Sequence, residues 1–437
     1  MKEHYMKHTV LKRYPLGNKR FIWKQKDFAL SSFGCDAGDM RKSISNLTEA
    51  GFNTLELGWS PHEKSWEAVE LCEEYGVDLI FQDLSIMGGM QHRFLDREPK
   101  VDMNTVNDLI ERTKDKKRTI GFYVWDEPWF DNQFEEARRQ SDMLEAAKPD
   151  ALLFSVALPS YNPDFQWENG LYKSYFDKFI KKMDPPVLSL DYYPIGNYPM
   201  ETEQFKYSED NQLDTDYMWC DLGLLRKRGL ETGIPYWFYY QGCDLYHTGQ
   251  LNFTMIRMMM YAAVMYGVKG LQHYRANEDA VVMRDTGEKG PYFEEQKAIH
   301  KEFAALGNTL MALTSKLVYH SPDLLPNKDF AKELMDSYTD SEFIAEQLPK
   351  RCSVGEFEDG YGNRYLVILN REFCAPLKTE LKLKGNFRIY EVSRKDGAQR
   401  VIHESTASLP VELAAGDAMV IRVQPASEEP FTVEYTL

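Results

Sequence analysis

No Cys-x-x-Cys pair occurs in this 437-residue chain, and its six cysteines, Cys35, Cys72, Cys220, Cys243, Cys352 and Cys374, are scattered along it. That spacing excludes a zinc knuckle and a dithiol redox motif, so the thiols read as reduced and structural. No His-Glu-x-x-His pattern occurs, which leaves a metal site without support. Long uncharged apolar runs are also missing, so no segment reads as a membrane span. Residues 1–26 are basic and polar and lack the apolar stretch of a signal peptide, which places the chain as written in the cytoplasm. A leader removed before Met1 would instead place it in the periplasm or outside the cell. Positive charge is scarce: 52 Lys and Arg against 68 Asp and Glu leave a net charge of -16. Nucleic acid and anionic membrane surfaces would be repelled by most of such a surface, and a neutral partner fits better.

What is present is enough to build a large core, since 43% of residues are hydrophobic, and the length exceeds one ordinary domain. From residue 28 a unit repeats: a short apolar β-rich run, a polar loop, an amphipathic segment, then a turn at Gly or Pro. The runs cover residues 28–34, 53–59, 77–83, 119–127, 151–158, 187–194, 234–242 and 268–276. Helical patterns lie between and after them at 39–50, 65–75, 104–114, 133–147, 172–182, 216–231, 253–266 and 293–313. Gly51, Gly76 and Gly267 follow three of these patterns as left-handed helix ends. Eight alternating units predict a parallel sheet closed into a (β/α)8 barrel. No Gly-x-Gly-x-x-Gly follows the first run, which counts against a dinucleotide cofactor, and no cofactor is expected. The methionines Met255, Met258, Met259, Met260 and Met265 read as the core face of a helix.

Beyond about residue 320 the pattern changes to alternating apolar and polar residues at 356–370, 379–383, 387–392 and 418–423. Turns such as Asp359-Gly360 and Ala415-Gly416 separate them, the mark of an antiparallel β domain. The expected organisation is an N-terminal segment 1–27, a barrel 28–318, a linker 319–340 holding Pro322 and Pro326, and a β-sandwich 341–437.

In a (β/α)8 barrel the active site gathers at the C-terminal strand ends, so polar residues there are the candidates. They are Glu56 and Trp59 on the second run, Asp83 on the third, and Trp125, Asp126 and Glu127 on the fourth. The sixth offers Asp191, Tyr192 and Tyr193, the seventh Trp237, Tyr240, Gln241 and Asp244, and the eighth His273 and Tyr274. The fourth run stops abruptly in Trp125-Asp126-Glu127-Pro128, where two adjacent carboxylates would be costly without a purpose. Their mutual repulsion favours keeping one proton near neutral pH, as a general acid requires. Aromatics are 13% of the chain, including 26 Tyr and 8 Trp, and a flat apolar face with a polar tip suits a sugar ring. A carbohydrate is therefore the expected substrate.

Taken together, these motifs resemble the glycoside hydrolases of clan A, most nearly the family 42 β-galactosidase-like proteins and their uncharacterised gut-bacterial relatives. The likeness spans residues 28–313. In that clan an acid/base glutamate ends the fourth strand as Asn-Glu-Pro, so the resemblance implies that Glu127 donates a proton to the glycosidic oxygen. Asp191-Tyr192-Tyr193-Pro194 and Gly267-Val268-Lys269-Gly270 are similar to further motifs of such relatives. Two positions depart: Asp126 replaces the usual Asn, and Gln241 stands where the nucleophilic glutamate would end the seventh strand. An amide cannot form a glycosyl ester. Three readings follow. Asp191 or Asp244 supplies a second carboxylate, or Asp126 and Glu127 together serve substrate-assisted cleavage of an N-acetylhexosaminide, or the barrel binds carbohydrate without turnover.

Overall fold

The computed structural model describes residues 4–9, 24–36, 38–58, 62–82, 101–160, 170–195, 216–245, 251–276, 281–324 and 329–436. After a short strand β1 (His4–Thr9), all eight apolar runs become strands. They are β2 (Ala29–Phe33), β3 (Thr54–Glu56), β4 (Asp78–Phe81), β5 (Thr119–Asp126), β6 (Leu152–Val156), β7 (Leu188–Tyr192), β8 (Tyr236–Gln241) and β9 (Gly270–Tyr274). They form one parallel sheet in the order β6-β5-β4-β3-β2-β9-β8-β7. A bridge between Ala157 and Leu190, with Ala157 N donating to Ser189 O at 2.9 Å, joins its two edges and closes the barrel.

Helices α1 (Met40–Glu49), α2 (His62–Tyr75), α3 (Met103–Thr113), α4 (Asp131–Ala147), α5 (Leu171–Met183), α6 (Asp216–Thr232), α7 (Phe253–Tyr266) and α8 (Phe293–Ala312) surround the barrel. Helix α1 shows why the sequence is helical here. Asp39 accepts from Lys42 N at its start, and Met40, Ser43, Ile44 and Leu47 bury one face at the spacing of a 3.6-residue period. Helix α7 ends at Gly267 with φ 93°, a backbone conformation that a side chain disfavours.

The C-terminal sheet comprises β10 (Thr314–His320), β11 (Cys352–Glu358), β12 (Arg364–Asn370), β13 (Leu377–Val392), β14 (Gln399–Leu413) and β15 (Ala418–Pro425), ordered β10-β11-β12-β15-β13-β14 with antiparallel pairing throughout. A last strand, β16 (Phe431–Thr436), pairs in parallel with β1. One expected limit shifts in consequence. The sheet draws its first strand from residues directly after α8, so the expected boundary at 318/319 falls inside β10, and the span 319–340 also contains the short helix α9 (Asp329–Lys332). Strand β14 has no counterpart among the expected runs, because only Leu409, Val411 and Leu413 alternate inward while most of 400–408 is exposed or half-buried at the sheet edge.

The sheet buries both faces. Val354, Leu366, Ile368 and Ile421 pack with Leu381, Leu409 and Val411 of the long β13–β14 hairpin, giving the sandwich its core. Phe357, Tyr365, Val367 and Leu369 face the other way and join the barrel's outer core. Helix α7 lies between barrel and sheet, which explains why its methionines are buried on every side and not along one stripe. Arg257 on this helix ties the two domains together through Asp417 (2.7 Å) and also pairs with Glu302 of α8 within the barrel (2.7 Å).

Candidate active site

Strand alternation decides which side chains reach the barrel interior. Asp191, Tyr239, Gln272 and Ser31 are register neighbours across β7, β8, β9 and β2. Three of them converge on Glu56, at the end of β3. Tyr239 OH donates to Glu56 Oε2, Ser31 Oγ donates to Oε1, and Gln272 Nε2 donates to Oε1 at 2.9 Å. Ser189 Oγ in turn donates to Gln272 Oε1 at 2.7 Å. A hydrogen-bonded polar layer thus crosses an otherwise apolar barrel beneath the C-terminal mouth.

On β5 the alternation is broken. The register with β6 slips between Tyr123 and Trp125, a bulge in which one residue is extra. Regular alternation from inward-facing Tyr123 would send Asp126 outward to the helices. The bulge instead puts Asp126 on the side of Tyr123, whose hydroxyl donates to Asp126 Oδ1 at 3.0 Å. Glu127 follows in a left-handed conformation, φ 50°, with its N donating to Val156 O at 3.1 Å. A non-glycine residue in that region is uncommon, and such strain collects at functional sites. Asp126 and Glu127 retain 7% and 6% exposure, so both are buried at the barrel rim.

Burial sets the electrostatics. It pushes the Asp191 carboxyl up to about 7, against a hydrogen bond from Tyr193 that lowers it, and the nearby Asp126 carboxylate adds to the rise. Burial also raises Glu56, while Ser31, Tyr239 and Gln272 oppose the shift and Asp126 again adds to it. Asp126 thus acts on both Asp191 and Glu56, and burial favours the protonated form of each. Asp191 Oδ1 is buried without a hydrogen-bond partner among the described residues. Tyr193 and Tyr274 stack at 4.6 Å and 25° beside this group, with Phe33 against Tyr274 at 5.5 Å.

The structure thus brings Asp126, Asp191, Tyr193 and Tyr274 together, with Glu127 next in the chain after Asp126 at the rim. It places other expected site residues elsewhere. Trp125, Tyr192 and Tyr240 belong to the core between strands and helices. Tyr240 OH accepts from Gln296 Nε2 of α8 at 3.0 Å. His273 faces outward too, edge-on to Tyr240 and Phe52, and a Cβ on Gly242 would come within 2.2 Å of its Nε2. Burial lowers His273 to about 3, so it stays neutral. Trp237 fills the opposite, N-terminal end of the barrel, donating to Gln25 Oε1 at 3.1 Å and lying over Gly270. Gln241 is fully buried. Its Oε1 accepts from Ile195 N at 2.8 Å and its Nε2 donates to Ile195 O at 2.8 Å and Cys243 O at 3.2 Å, so the side chain clamps two loops. Asp244 is half-buried beyond the end of β8. Trp59 and Asp83 lie outside the described residues.

Motif-led reading does not find Ser31, Tyr123, Ser189, Tyr239 or Gln272. The available signal is a lone polar residue inside an apolar strand, placed an even number of residues from an inward-facing neighbour. Among the described residues no cluster of His, Cys, Asp and Glu could hold a metal, and no helix is long and apolar enough to cross a membrane.

No family model matches the sequence, and no curated protein matches it either. Solved structures do share the fold. A GH27 β-L-arabinopyranosidase from Geobacillus stearothermophilus superposes with a TM-score of 0.50 at 8% identity, over 93% of this chain and 98% of that one. A candidate α-galactosidase from Bacteroides fragilis gives 0.50 at 10% identity, over 91% and 79%. At such identities the likeness is one of architecture, and its extent includes both the barrel and the C-terminal sheet.

Proposed function

We propose that this protein is a glycoside hydrolase in which Glu127 donates the proton to the departing glycosidic oxygen. The observation that carries the reading is the broken alternation of β5. A bulge and a left-handed residue deliver two consecutive carboxylates to the rim of the barrel, the first of them near enough to Asp191 to raise it. Glycosidic cleavage needs an acid at the leaving oxygen and a second group that stabilises or captures the sugar cation. Glu127 takes the first role. Asp191, on β7 two strands along the barrel from β5, takes the second, as base for water or as nucleophile. The stacked Tyr193 and Tyr274 offer an apolar floor for a pyranose ring. That the two fold neighbours are described as glycosidases agrees with this chemistry. The finer likeness to family 42 rests on sequence motifs, those at 125–128, 191–194 and 267–270.

Gln241 fits the same reading. Its amide clamps Ile195 and Cys243, a structural task that needs no carboxylate, so its presence does not mark a lapsed enzyme. A second reading is favoured by the pairing of Asp126 with Tyr123. An aspartate so held beside the acid can orient the acetamido group of an N-acetylhexosaminide, whose own oxygen then replaces the nucleophile. A panel of 4-nitrophenyl galactosides, glucosides and N-acetylhexosaminides, assayed with wild type and Glu127→Gln, tests both. Activity on plain hexosides that Glu127→Gln loses supports Asp191 as the partner. Activity confined to N-acetylhexosaminides supports the substrate-assisted route. Silence across the panel and on longer oligosaccharides, or an undiminished Glu127→Gln on the methyl glycoside of the preferred sugar, contradicts the assignment of Glu127.

A further inference from the structure

Directly after Glu127 and Pro128 the chain presents Trp129 and Phe130, whose rings stack at 5.9 Å and 17°. Trp129 is half-buried against the barrel's outer core, whereas Phe130 is 54% exposed. An isolated exposed aromatic is ordinary, but three features set this one apart. The pair belongs to the loop that follows a barrel strand, so it stands on the face where the site opens. Its backbone is pinned: the buried Gln133 side chain accepts from Trp129 N at 2.7 Å and from Phe130 N at 3.1 Å. Phe130 also occupies the N-cap of α4, where Ser, Thr, Asp or Asn would satisfy an amide, and it makes no side-chain cap bond. A large apolar ring is kept in water at a position where a small polar residue would serve the helix better.

We propose that Trp129 and Phe130 form a platform for a neutral sugar ring on the leaving-group side of the scissile bond, an inference that rests on Glu127 being the proton donor. The acid of a glycosidase faces the departing oxygen, so the surface continuing outward from it meets the departing sugar. The Tyr193–Tyr274 floor on β7 and β9 is left for the ring that is attacked. Asp126, Glu127 and Asp191 at the rim disfavour an acidic saccharide, which makes the occupant a neutral hexose, pentose or N-acetylhexosamine unit. The protein then prefers oligosaccharides over single sugars carrying a small leaving group.

The test titrates Glu127→Gln with cellohexaose, xylohexaose, galactohexaose and chitohexaose by calorimetry, with and without Phe130→Ala. At least one hexaose is expected to bind, and Phe130→Ala to weaken it roughly 5- to 10-fold, the scale of one lost ring contact. Phe130→Tyr, which keeps the ring, restores the affinity and so separates stacking from misfolding. No binding of any hexaose, or equal affinity with and without Phe130, overturns the platform. The two proposals part cleanly. Hexaose binding that depends on Phe130 without cleavage of any glycoside removes the hydrolase and leaves the ring pair as a sugar contact with no leaving-group side. Cleavage of nitrophenyl glycosides with hexaose affinity indifferent to Phe130 removes the platform alone.

Discussion

Strands β5 and β8 end at the same rim of one barrel in polar side chains, yet the fold uses those ends in opposite ways. On β5 a bulge turns Asp126 inward and a left-handed backbone displays Glu127. On β8 the pairing is regular and Gln241 is consumed by the backbone of Ile195 and Cys243. The first end carries local strain and buried charge, which stability alone would not select. The second is satisfied at every polar atom. A polar residue at a strand end thus reads as architecture when backbone groups saturate it, as at Gln241, and a carboxylate pair delivered to the rim by a bulge is the end to test for chemistry.

Substitutions that exchange the characters of the two ends sharpen the contrast. The largest effect is expected on β5: Glu127→Gln should lower kcat/KM on the preferred glycoside about 10³-fold with little change in thermal stability, because it removes only the proton. Asp191→Asn should cost roughly 10²-fold in kcat/KM and yet stabilise the fold at alkaline pH. Since burial raises this carboxyl to about 7, above the ~3.9 of an unfolded aspartate, its contribution to stability is greatest below ~4 and is lost as pH rises through 7. The asparagine variant should therefore be more stable than wild type by about 1–2 kcal/mol at pH 8, and the gain should vanish near pH 4; thermal melts at both pH values check this. Conversely, His273 and His300, lowered to about 3 and 4, withdraw stability as pH falls below ~6.5 in wild type and variant alike.

At β8 the reverse exchange should gain nothing. Gln241→Glu points carboxylate oxygens at the carbonyls of Ile195 and Cys243, and a loss of about 2–4 kcal/mol with no rise in activity is expected from denaturant unfolding and the aryl glycoside assay. Restored or enhanced turnover would show that this end is catalytic after all. The smallest effect is expected from Tyr193→Phe. The Tyr193 hydrogen bond lowers Asp191, so its removal should move the acid limb of the kcat/KM profile to higher pH by roughly half a unit.

The architecture was legible because its signals are long and repetitive. Each apolar run and each amphipathic segment reappears as a strand or helix, and the limits differ by a few residues at most. The facing of individual side chains was less legible. In a barrel both faces of every strand are buried, so the aromatic run of β8 gives no clue that Trp237 and Tyr239 point inward while Tyr240 points to α8. The bulge on β5 has no marker in Tyr123-Val124-Trp125, although the carboxylate pair it displays stands out. The polar layer around Glu56 is invisible to motif reading, since Ser31, Ser189 and Gln272 are single residues from three distant strands. Strand β14 was missed for the opposite reason, because its exposed half does not alternate.

The central claim, that Glu127 supplies the proton to the leaving oxygen, is tested most directly by leaving-group dependence. Wild type and Glu127→Ala would be compared on the 2,4-dinitrophenyl and methyl glycosides of the sugar that the panel identifies. A dinitrophenolate departs without help, so the variant should hydrolyse that substrate at close to the wild-type rate while losing the methyl glycoside by about 10³-fold or more. An equal loss on both substrates, or none on either, would contradict the account.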